Sequence, residues 1–199
     1  IHDDIEHVVG YSIIGDAGVI ILAVAVLDPA AWEPARTFIL AFVVARSAFA
    51  AWAAATRATF STGRVDELHG WLLRSPALGL AFAAIVVASI GLPGLAAFEA
   101  RGAIVKLALD GPIAMLLLLG TFSPLAYYGR LLAVGLARPE RPGVVAGTWV
   151  TVTPLDLTSA RAWLAATWDA NRAFTATIGA LVLALVAMGT AIGGFGGPA

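Results

Sequence analysis

The chain has 199 residues, of which 60% are hydrophobic and only 13% charged, and its formal net charge is −1. Its mean hydropathy of +0.89 lies far from that of a soluble domain, in which roughly 45–50% of residues are apolar and about 25% are charged. Cysteine is absent, which excludes disulfides, thiolate metal sites and iron–sulfur ligation. The three histidines are too scattered for a metal or haem site, and no basic patch with interleaved aromatic residues indicates nucleic-acid binding.

Five apolar segments of about 20 residues or more follow one another along the chain. At a rise of about 1.5 Å per residue, each is long enough to cross a hydrocarbon core of roughly 30 Å. The segments lack the alternating pattern of barrel strands, so helices must satisfy their backbone groups in lipid. The predicted fold class is an all-α, polytopic membrane helical bundle. Its segments are residues 8–27, 37–56, 77–98, 112–137 and 173–192.

Two ionisable residues lie in the middle of the first two segments, Asp16 in the first and Arg46 in the second. Charges at membrane depth are costly and are functional candidates by default. Opposite charges at similar depth on consecutive antiparallel helices predict an ion pair, and both a structural and a functional pair remain open. Arg130, late in the fourth segment, is interpreted as a cation that extends to the membrane surface.

Proline, serine and glycine residues indicate where the helices begin and where one is interrupted. Pro34 is predicted to precede the second helix, and Ser75 with Pro76 is predicted to supply the N-cap and first residue of the third. The third segment is then interrupted at Gly91-Leu92-Pro93-Gly94, where Pro93 removes a backbone donor and the glycines permit unusual dihedral angles. The sequence therefore predicts two half-helices, residues 77–89 and 96–109.

Three charged residues follow this break, namely Glu99, Arg101 and Lys106. If the break lies at the membrane surface, they belong to a solvated loop. If it lies near the midplane, they belong to a half-helix inside the bilayer, and the first half, at about 15 residues or roughly 22 Å, is indeed too short to cross. A spacing of five residues separates Arg101 and Lys106 by about 140° on a helix, so Arg101 is predicted to face the bundle axis, near a carboxylate or water, and Lys106 to lie off it.

Lys/Arg counting predicts the orientation of the chain. The N-terminus, the 57–75 loop and the 138–172 loop fall on one Arg-rich side, which should be cytoplasmic, with the C-terminus outside. Residues 138–172 are predicted as an interfacial linker, 173–193 as the final transmembrane helix and 194–199 as a flexible tail. Because the first residue is Ile, the chain is expected to be a fragment of a longer protein.

Several stretches, in order, resemble one family of membrane subunits. Its motifs are approximated here by DIEHVVGYSII with Gly18, by SAF at 47–49, by ELHGWLLRSP at 67–76, by SIGLPGLAAFEAR at 89–101 and by YYGR at 127–130. This part of the chain, residues 1–137, resembles the C-terminal half of the antiporter-like, proton-translocating membrane subunits of NADH:quinone oxidoreductase (complex I), and the N-type subunit is the most similar. The resemblance implies that the break near Pro93 is embedded in the membrane.

The resemblance also implies a proton path. The candidate residues are Asp16, Arg46, Glu99, Arg101, Lys106 and His7. Arg101 stands where the family usually has a lysine, and arginine effectively never loses its proton, so Arg101 is interpreted as a fixed charge, with Lys106 or Asp16 as proton carriers. His7 belongs to a Glu6-His7 pair that replaces two basic residues of the family; it could titrate near neutral pH or simply be an interfacial histidine.

Three functions remain open from the sequence. The first is a non-redox subunit of a proton-translocating NADH:quinone oxidoreductase in the cell inner membrane, with other membrane subunits as partners. No cofactor is expected in this chain, since the resemblance implies that quinone, NADH, flavin and iron–sulfur clusters bind to partner subunits. The second is a subunit of a multi-subunit cation/proton antiporter. The third is a structural membrane scaffold with a degenerate proton path.

Overall fold

The computed structural model of the chain describes residues 4–91, 94–108, 113–137 and 172–191. Two short 3-10 turns lie at Pro29–Ala31 and Val65–Glu67. The α-helices in these ranges are α1 (Ile5–Ala25), α2 (Trp32–Phe60), α3 (Trp71–Arg74), α4 (Pro76–Ile90), α5 (Ala96–Ala108), α6 (Ile113–Leu136) and α7 (Arg172–Ala191).

All five apolar segments of the sequence contain helix, which confirms the predicted all-α bundle. Within the described ranges, α1 and the stretch Pro29–Phe60 are the two that are long and apolar enough to cross a membrane. The predicted break in the third segment is also confirmed, because α4 ends at Ile90 and a separate helix, α5, begins at Ala96. Pro93, the linker up to residue 171 and the tail 194–199 lie outside the described residues.

One predicted helix start was wrong, and another was confirmed in position. The second helix begins at Trp32, so Pro34 lies in its first turn rather than before it. Proline is tolerated there because the first N–H groups of a helix have no partner within the helix. Ser75 does occupy the N-cap position of α4, but its side chain forms no capping hydrogen bond. Its backbone, at φ −139° and ψ 79°, differs from the usual N-cap conformation, which explains why the hydroxyl does not reach the first turn.

Backbone hydrogen bonds bring three parts of the chain to one end of the bundle. The N–H of Ile5, at the start of α1, donates to the carbonyl of Gly63 at 2.8 Å. The N–H of Gly70, before α3, donates to the carbonyl of Val134 near the end of α6 at 3.0 Å. The start of α1, the connection between α2 and α3, and the end of α6 therefore share one end, as the helix count predicts. Which side of the membrane this end faces stays a prediction.

An aromatic core fills this half of the bundle. It consists of Phe49, Trp52, Trp71, Phe82 and Tyr128, each at most 1% exposed. The ring centroids of Trp52 and Phe82 are 4.8 Å apart, those of Trp52 and Trp71 are 5.2 Å apart, and those of Phe49 and Tyr128 are 5.5 Å apart. These distances and tilted geometries are those that aromatic pairs favour. The aromatic core thus holds α2, α3, α4 and α6 together.

Both indole N–H groups of the aromatic core have backbone acceptors. Trp52 donates to the carbonyl of Leu78 at 2.9 Å, and Trp71 donates to the carbonyl of Leu131 at 3.0 Å. A side chain at Gly135 would meet the Trp71 indole nitrogen at 2.6 Å, so this glycine is what allows Trp71 to approach α6. The core therefore buries its polar atoms without leaving them unsatisfied.

Candidate functional site

Three charged side chains from three helices meet inside the bundle. Asp16 of α1, Arg46 of α2 and Arg101 of α5 are 6%, 4% and 7% exposed, and we refer to them as the charged cluster. They are the buried charged residues in the part of the chain that the structure describes. The prediction that Asp16 and Arg46 face the interior is confirmed. Burying charges is costly unless they are paired and hydrogen-bonded, so their contacts decide what the cluster can do.

Asp16 bridges the two arginines with its two carboxylate oxygens. Oδ2 accepts hydrogen bonds from Nε of Arg46 at 2.8 Å and also from its Nη2. Oδ1 accepts a hydrogen bond from Nη2 of Arg101 at 3.0 Å. One carboxylate faces two guanidinium groups, so one positive charge is in excess when Asp16 is ionised. The predicted pair of Asp16 and Arg46 is present, and Arg101 also has the carboxylate that was predicted near it.

Arg46 connects the cluster to α6. Its Nη1 donates a hydrogen bond to the hydroxyl of Tyr128 at 2.8 Å. The rings of Tyr127 and Tyr128 lie edge to face, with centroids 4.5 Å apart. Because Nε and Nη2 donate to Asp16 and Nη1 donates to Tyr128, all three guanidinium nitrogens of Arg46 form hydrogen bonds. Arg46 is therefore held in one position by partners on two other helices.

Arg101 connects the cluster to the broken helix. Its Nη2 lies 3.3 Å from the carbonyl oxygen of Ser89, and its Nη1 lies 3.5 Å from that of Ile90. The last carbonyls of a helix have no partner within the helix and carry its negative partial charge. The guanidinium of Arg101 at the end of α4 compensates both the unpaired carbonyls and this partial charge. Its contacts with the carbonyls are long and therefore weaker than its hydrogen bond to Asp16. The guanidinium also lies over the ring of Phe38, 5.3 Å from its centroid.

The conformation of Gly91 allows this arrangement. Its φ is +78°, and a Cβ added there would meet Cβ of Phe98 at 2.8 Å. Glycine alone adopts this conformation at no steric cost. The sharp end of α4 at this glycine leaves the carbonyls of Ser89 and Ile90 exposed to Arg101.

The sequence of α5 explains why Arg101 points inward. Its buried face carries Ala97, Ala100, Arg101 and Ile104, which are spaced i, i+3, i+4, i+7 as on one face of a helix. The alanines leave room beside them for the long guanidinium side chain. Arg101 keeps a buried Nε that has no hydrogen-bond partner in the described part of the chain. The charged cluster thus contains one donor that is not satisfied by the protein groups described.

The remaining predicted site residues lie away from the cluster. Lys106 and Glu99 are exposed on α5, which agrees with the predicted angular separation of Arg101 and Lys106. The carboxylate of Glu99 instead accepts a hydrogen bond from the N–H of Gly94 at 3.2 Å. His7 is exposed near the start of α1, nine residues or about 13 Å along the helix from Asp16. Arg130 is exposed on α6.

Sequence reasoning missed several members of the site. Tyr128 was noted only as part of a motif, and the carbonyls of Ser89 and Ile90 and the ring of Phe38 were not considered. Tyr128 could have been predicted, because it carries a hydroxyl group within an apolar segment. A buried arginine on a neighbouring helix needs such a hydrogen-bond acceptor. The carbonyls follow from the predicted break, since every helix end leaves unpaired carbonyl groups.

A helical membrane bundle with a broken helix and paired internal charges is the architecture of ion-translocating membrane proteins. The sequence matches the family model described as NADH:quinone oxidoreductase/Mrp antiporter, TM, over residues 2–125. The chain belongs to this family of membrane proteins, which confirms the predicted resemblance. All three residues of the charged cluster fall within the matched range.

The curated relatives that the chain matches carry one name, NADH-quinone oxidoreductase subunit N. The protein from Salinispora tropica is 37% identical over 122 residues, which is 58% of this chain and 23% of the relative. The protein from Cereibacter sphaeroides is 32% identical over 161 residues, 79% of this chain and 35% of the relative. The protein from Rhodococcus opacus is 28% identical over 124 residues, 61% of this chain and 23% of the relative. The chain therefore spans about a quarter to a third of the length of these relatives.

Proposed function

We propose that this chain is part of a proton-translocating, non-redox membrane subunit of an NADH:quinone oxidoreductase. The observation that carries the proposal is the charged cluster, in which one buried carboxylate binds two arginines beside the end of a broken helix. Paired charges inside a bundle, at a helix break, are typical of ion pathways. The three relatives named subunit N support the choice of this complex.

The geometry supports distinct roles for the three residues. Arginine keeps its proton, so Arg46 and Arg101 act as fixed positive charges and Asp16 is the group of the cluster that can accept a proton. Arg101 has two sets of acceptors, the Asp16 carboxylate and the carbonyls that end α4. Protonation of Asp16 weakens its attraction for Arg101 and leaves the guanidinium to the carbonyls. A proton on Asp16 is thereby coupled to the position of a charge at the helix break.

The proposal also covers the partners of the chain, its location and its orientation in the membrane. Other membrane subunits of the complex are its partners, and the NADH, flavin, iron–sulfur and quinone sites lie in partner subunits. The location is the bacterial inner (plasma) membrane, where the chain passes through the bilayer several times. The Arg-rich loops face the cytoplasm and the C-terminus faces outside, in keeping with the rule on cationic loops.

Two other functions have an observation in their favour. The family description also covers Mrp antiporters, which favours a cation/proton antiporter as the second candidate. The two arginines on either side of Asp16 favour the third, a scaffold in which the three charges only stabilise the bundle.

The test is proton pumping by the complex reconstituted in vesicles, with Asp16→Asn. We expect fewer protons moved per NADH oxidised, because asparagine cannot accept a proton from the pathway. The control is Glu33→Gln, which neutralises a carboxylate in an exposed pair with Arg36 and should leave pumping unchanged. Unchanged pumping in Asp16→Asn would support the scaffold. Proton exchange driven by a sodium gradient in the absence of NADH would support the antiporter.

A further inference from the structure

The backbone before α5 contains a second glycine with a positive φ. Gly94 has a φ of +93°, a conformation that glycine adopts without the steric cost it has for other residues. The N–H of Gly94 lies before the first residue of α5, Ala96, so the hydrogen bonds of the helix do not satisfy it. An unpaired backbone group within a membrane bundle is costly. The start of α5 therefore needs an acceptor for this N–H group.

Glu99 supplies that acceptor. It lies in the first turn of α5, and its Oε1 accepts a hydrogen bond from the N–H of Gly94 at 3.2 Å. This bond resembles a capping box, in which a carboxylate of the first turn binds a backbone N–H group just before the helix. The negative charge of Glu99 is also favoured by the positive end of the helix dipole. Glu99 thus connects the backbone before α5 to the first turn of the helix.

The beginning of α5 contacts the break at two further places. A Cβ added at Gly91 would meet Cα and the backbone nitrogen of Phe98 at 3.0 Å, so the end of α4 lies directly against the first turn of α5. Arg101, three residues after Phe98, contacts the carbonyls that end α4. The three contacts with the break are those of Phe98 with Gly91, of Glu99 with Gly94, and of Arg101 with these carbonyls.

Glu99 and Arg101 point to opposite sides of α5. Residues two positions apart on a helix are separated by about 200°, and Arg101 is buried whereas Glu99 is exposed. The ion pairs among the described residues do not include Glu99. Its hydrogen bond goes to the backbone of Gly94 rather than to the charged cluster. Any effect of Glu99 on the cluster must therefore pass through the position of α5.

We propose that Glu99 is a positioning residue for Arg101. The bond to Gly94 fixes the start of α5, and Arg101 follows two residues after Glu99, where it reaches both Asp16 and the carbonyls that end α4. Glu99 itself does not carry the translocated proton. The claim about pumping rests on the proposed function, whereas the claim about the start of α5 does not.

The first test is hydrogen–deuterium exchange of the purified complex, measured on the backbone amides of residues 94–98. A typical hydrogen bond changes a local equilibrium by about three- to tenfold, so Glu99→Ala should accelerate exchange at Gly94 by about this factor. Glu99→Gln should exchange nearly like the wild type, because its amide oxygen still accepts. Glu33→Ala is the matched control, since it removes a carboxylate from the first turn of α2, and it should leave residues 94–98 unchanged.

Two outcomes of this exchange experiment would overturn the proposal. One is wild-type exchange at Gly94 in Glu99→Ala, because the hydrogen bond would then contribute nothing to the order of the break. The other is an equal acceleration throughout α1 and α2, because Glu99 would then have only a general role in stability. Unchanged exchange in α1 and α2 also shows that the variant is folded.

The second test is the rate of proton pumping by the same variants in reconstituted vesicles. Glu99→Ala should lose pumping, since Arg101 then occupies its position for a smaller fraction of the time, and Glu99→Gln should retain most of it. Equal losses in both variants would make Glu99 a proton carrier and overturn the proposal. Normal pumping in Glu99→Ala despite faster exchange would overturn the link to Arg101. Normal pumping in Asp16→Asn would instead refute the proposed function, and the exchange result would still decide the role of Glu99 at the break.

Discussion

The charged cluster and the aromatic core lie side by side in one bundle and differ in how completely their polar groups are satisfied. In the aromatic core, both indole N–H groups donate to backbone carbonyls and the rings are packed against each other. In the charged cluster, one positive charge is in excess and Nε of Arg101 lacks a partner in the described residues. The comparison shows that the hydrogen-bonding groups of the aromatic core are satisfied, whereas Arg101 divides its contacts between the Asp16 carboxylate and the carbonyls that end α4.

Tyr128 is the residue that the two regions share. Its ring packs against Phe49 and Phe82, with centroid distances of 5.5 and 5.8 Å, and its hydroxyl accepts from Arg46 at 2.8 Å. The aromatic core thus positions Arg46 through Tyr128. The position of Arg101, in contrast, depends on the broken helix. Substitutions in the aromatic core should therefore affect stability alone, whereas substitutions in the charged cluster should affect both stability and translocation.

The largest effect on stability is expected for Asp16→Ala. Removing one partner of a buried ion pair leaves uncompensated charge and costs about 3–5 kcal/mol, and here two arginines lose their carboxylate. Unfolding in mixed detergent micelles measures the loss. Additional replacement of Arg101 by Met should restore part of the stability, because it removes one of the two uncompensated positive charges. A double variant no more stable than the single one would contradict this electrostatic explanation.

Gly91→Ala should have the next largest effect. Alanine at a φ of +78° is strained, and its Cβ would meet Cβ of Phe98 at 2.8 Å, so we expect a loss of about 1–3 kcal/mol. Because the end of α4 would have to move, its carbonyls would shift relative to Arg101 and pumping should fall as well. Gly102→Ala is the matched control on α5, since its Cβ would meet nothing within 4 Å. Equal stability of the two variants would argue against a tight turn at Gly91.

The broken helix and the cluster differ in how far the sequence predicts them. The break is a local property of glycine and proline, and buried charges are visible as exceptions within apolar runs, so both were predicted. That two arginines share Asp16 was not predicted. Arg101 is 85 residues away from Asp16 along the chain, and only the packing of α5 on α1 and α2 brings the two side chains together. Ser75 occupies the predicted N-cap position of α4, but the missing capping hydrogen bond could not be predicted, because it depends on the dihedral angles that the folded chain imposes on this residue.

Trp52→Phe should have a moderate effect confined to stability. Phenylalanine keeps the ring packing with Phe82 but removes the hydrogen bond to the carbonyl of Leu78, which is worth about 0.5–1.5 kcal/mol. Pumping per NADH oxidised should stay at the wild-type level, because the hydrogen bond of Trp52 goes to the Leu78 carbonyl and not to the charged cluster. A selective loss of pumping in a stable Trp52→Phe variant would break the distinction between the two regions.

Lys106→Ala should have the smallest effect. Lys106 is exposed on α5, and exposed substitutions usually change the free energy of unfolding by less than about 0.5 kcal/mol. If Asp16 rather than Lys106 carries the proton, pumping should change little. A strong loss of pumping in this variant would assign the carrier role to Lys106 instead.

The most direct test of the account is the rate of NADH-driven proton pumping by the reconstituted complex with Arg101→Ala and Arg101→Lys. Alanine removes the fixed charge between Asp16 and the carbonyls of α4, and pumping should fall by at least about tenfold, equivalent to roughly 1.4 kcal/mol on the limiting barrier. Lysine restores the charge and should preserve most of the pumping. Undiminished pumping in Arg101→Ala would contradict the account and leave the charged cluster with a structural role alone.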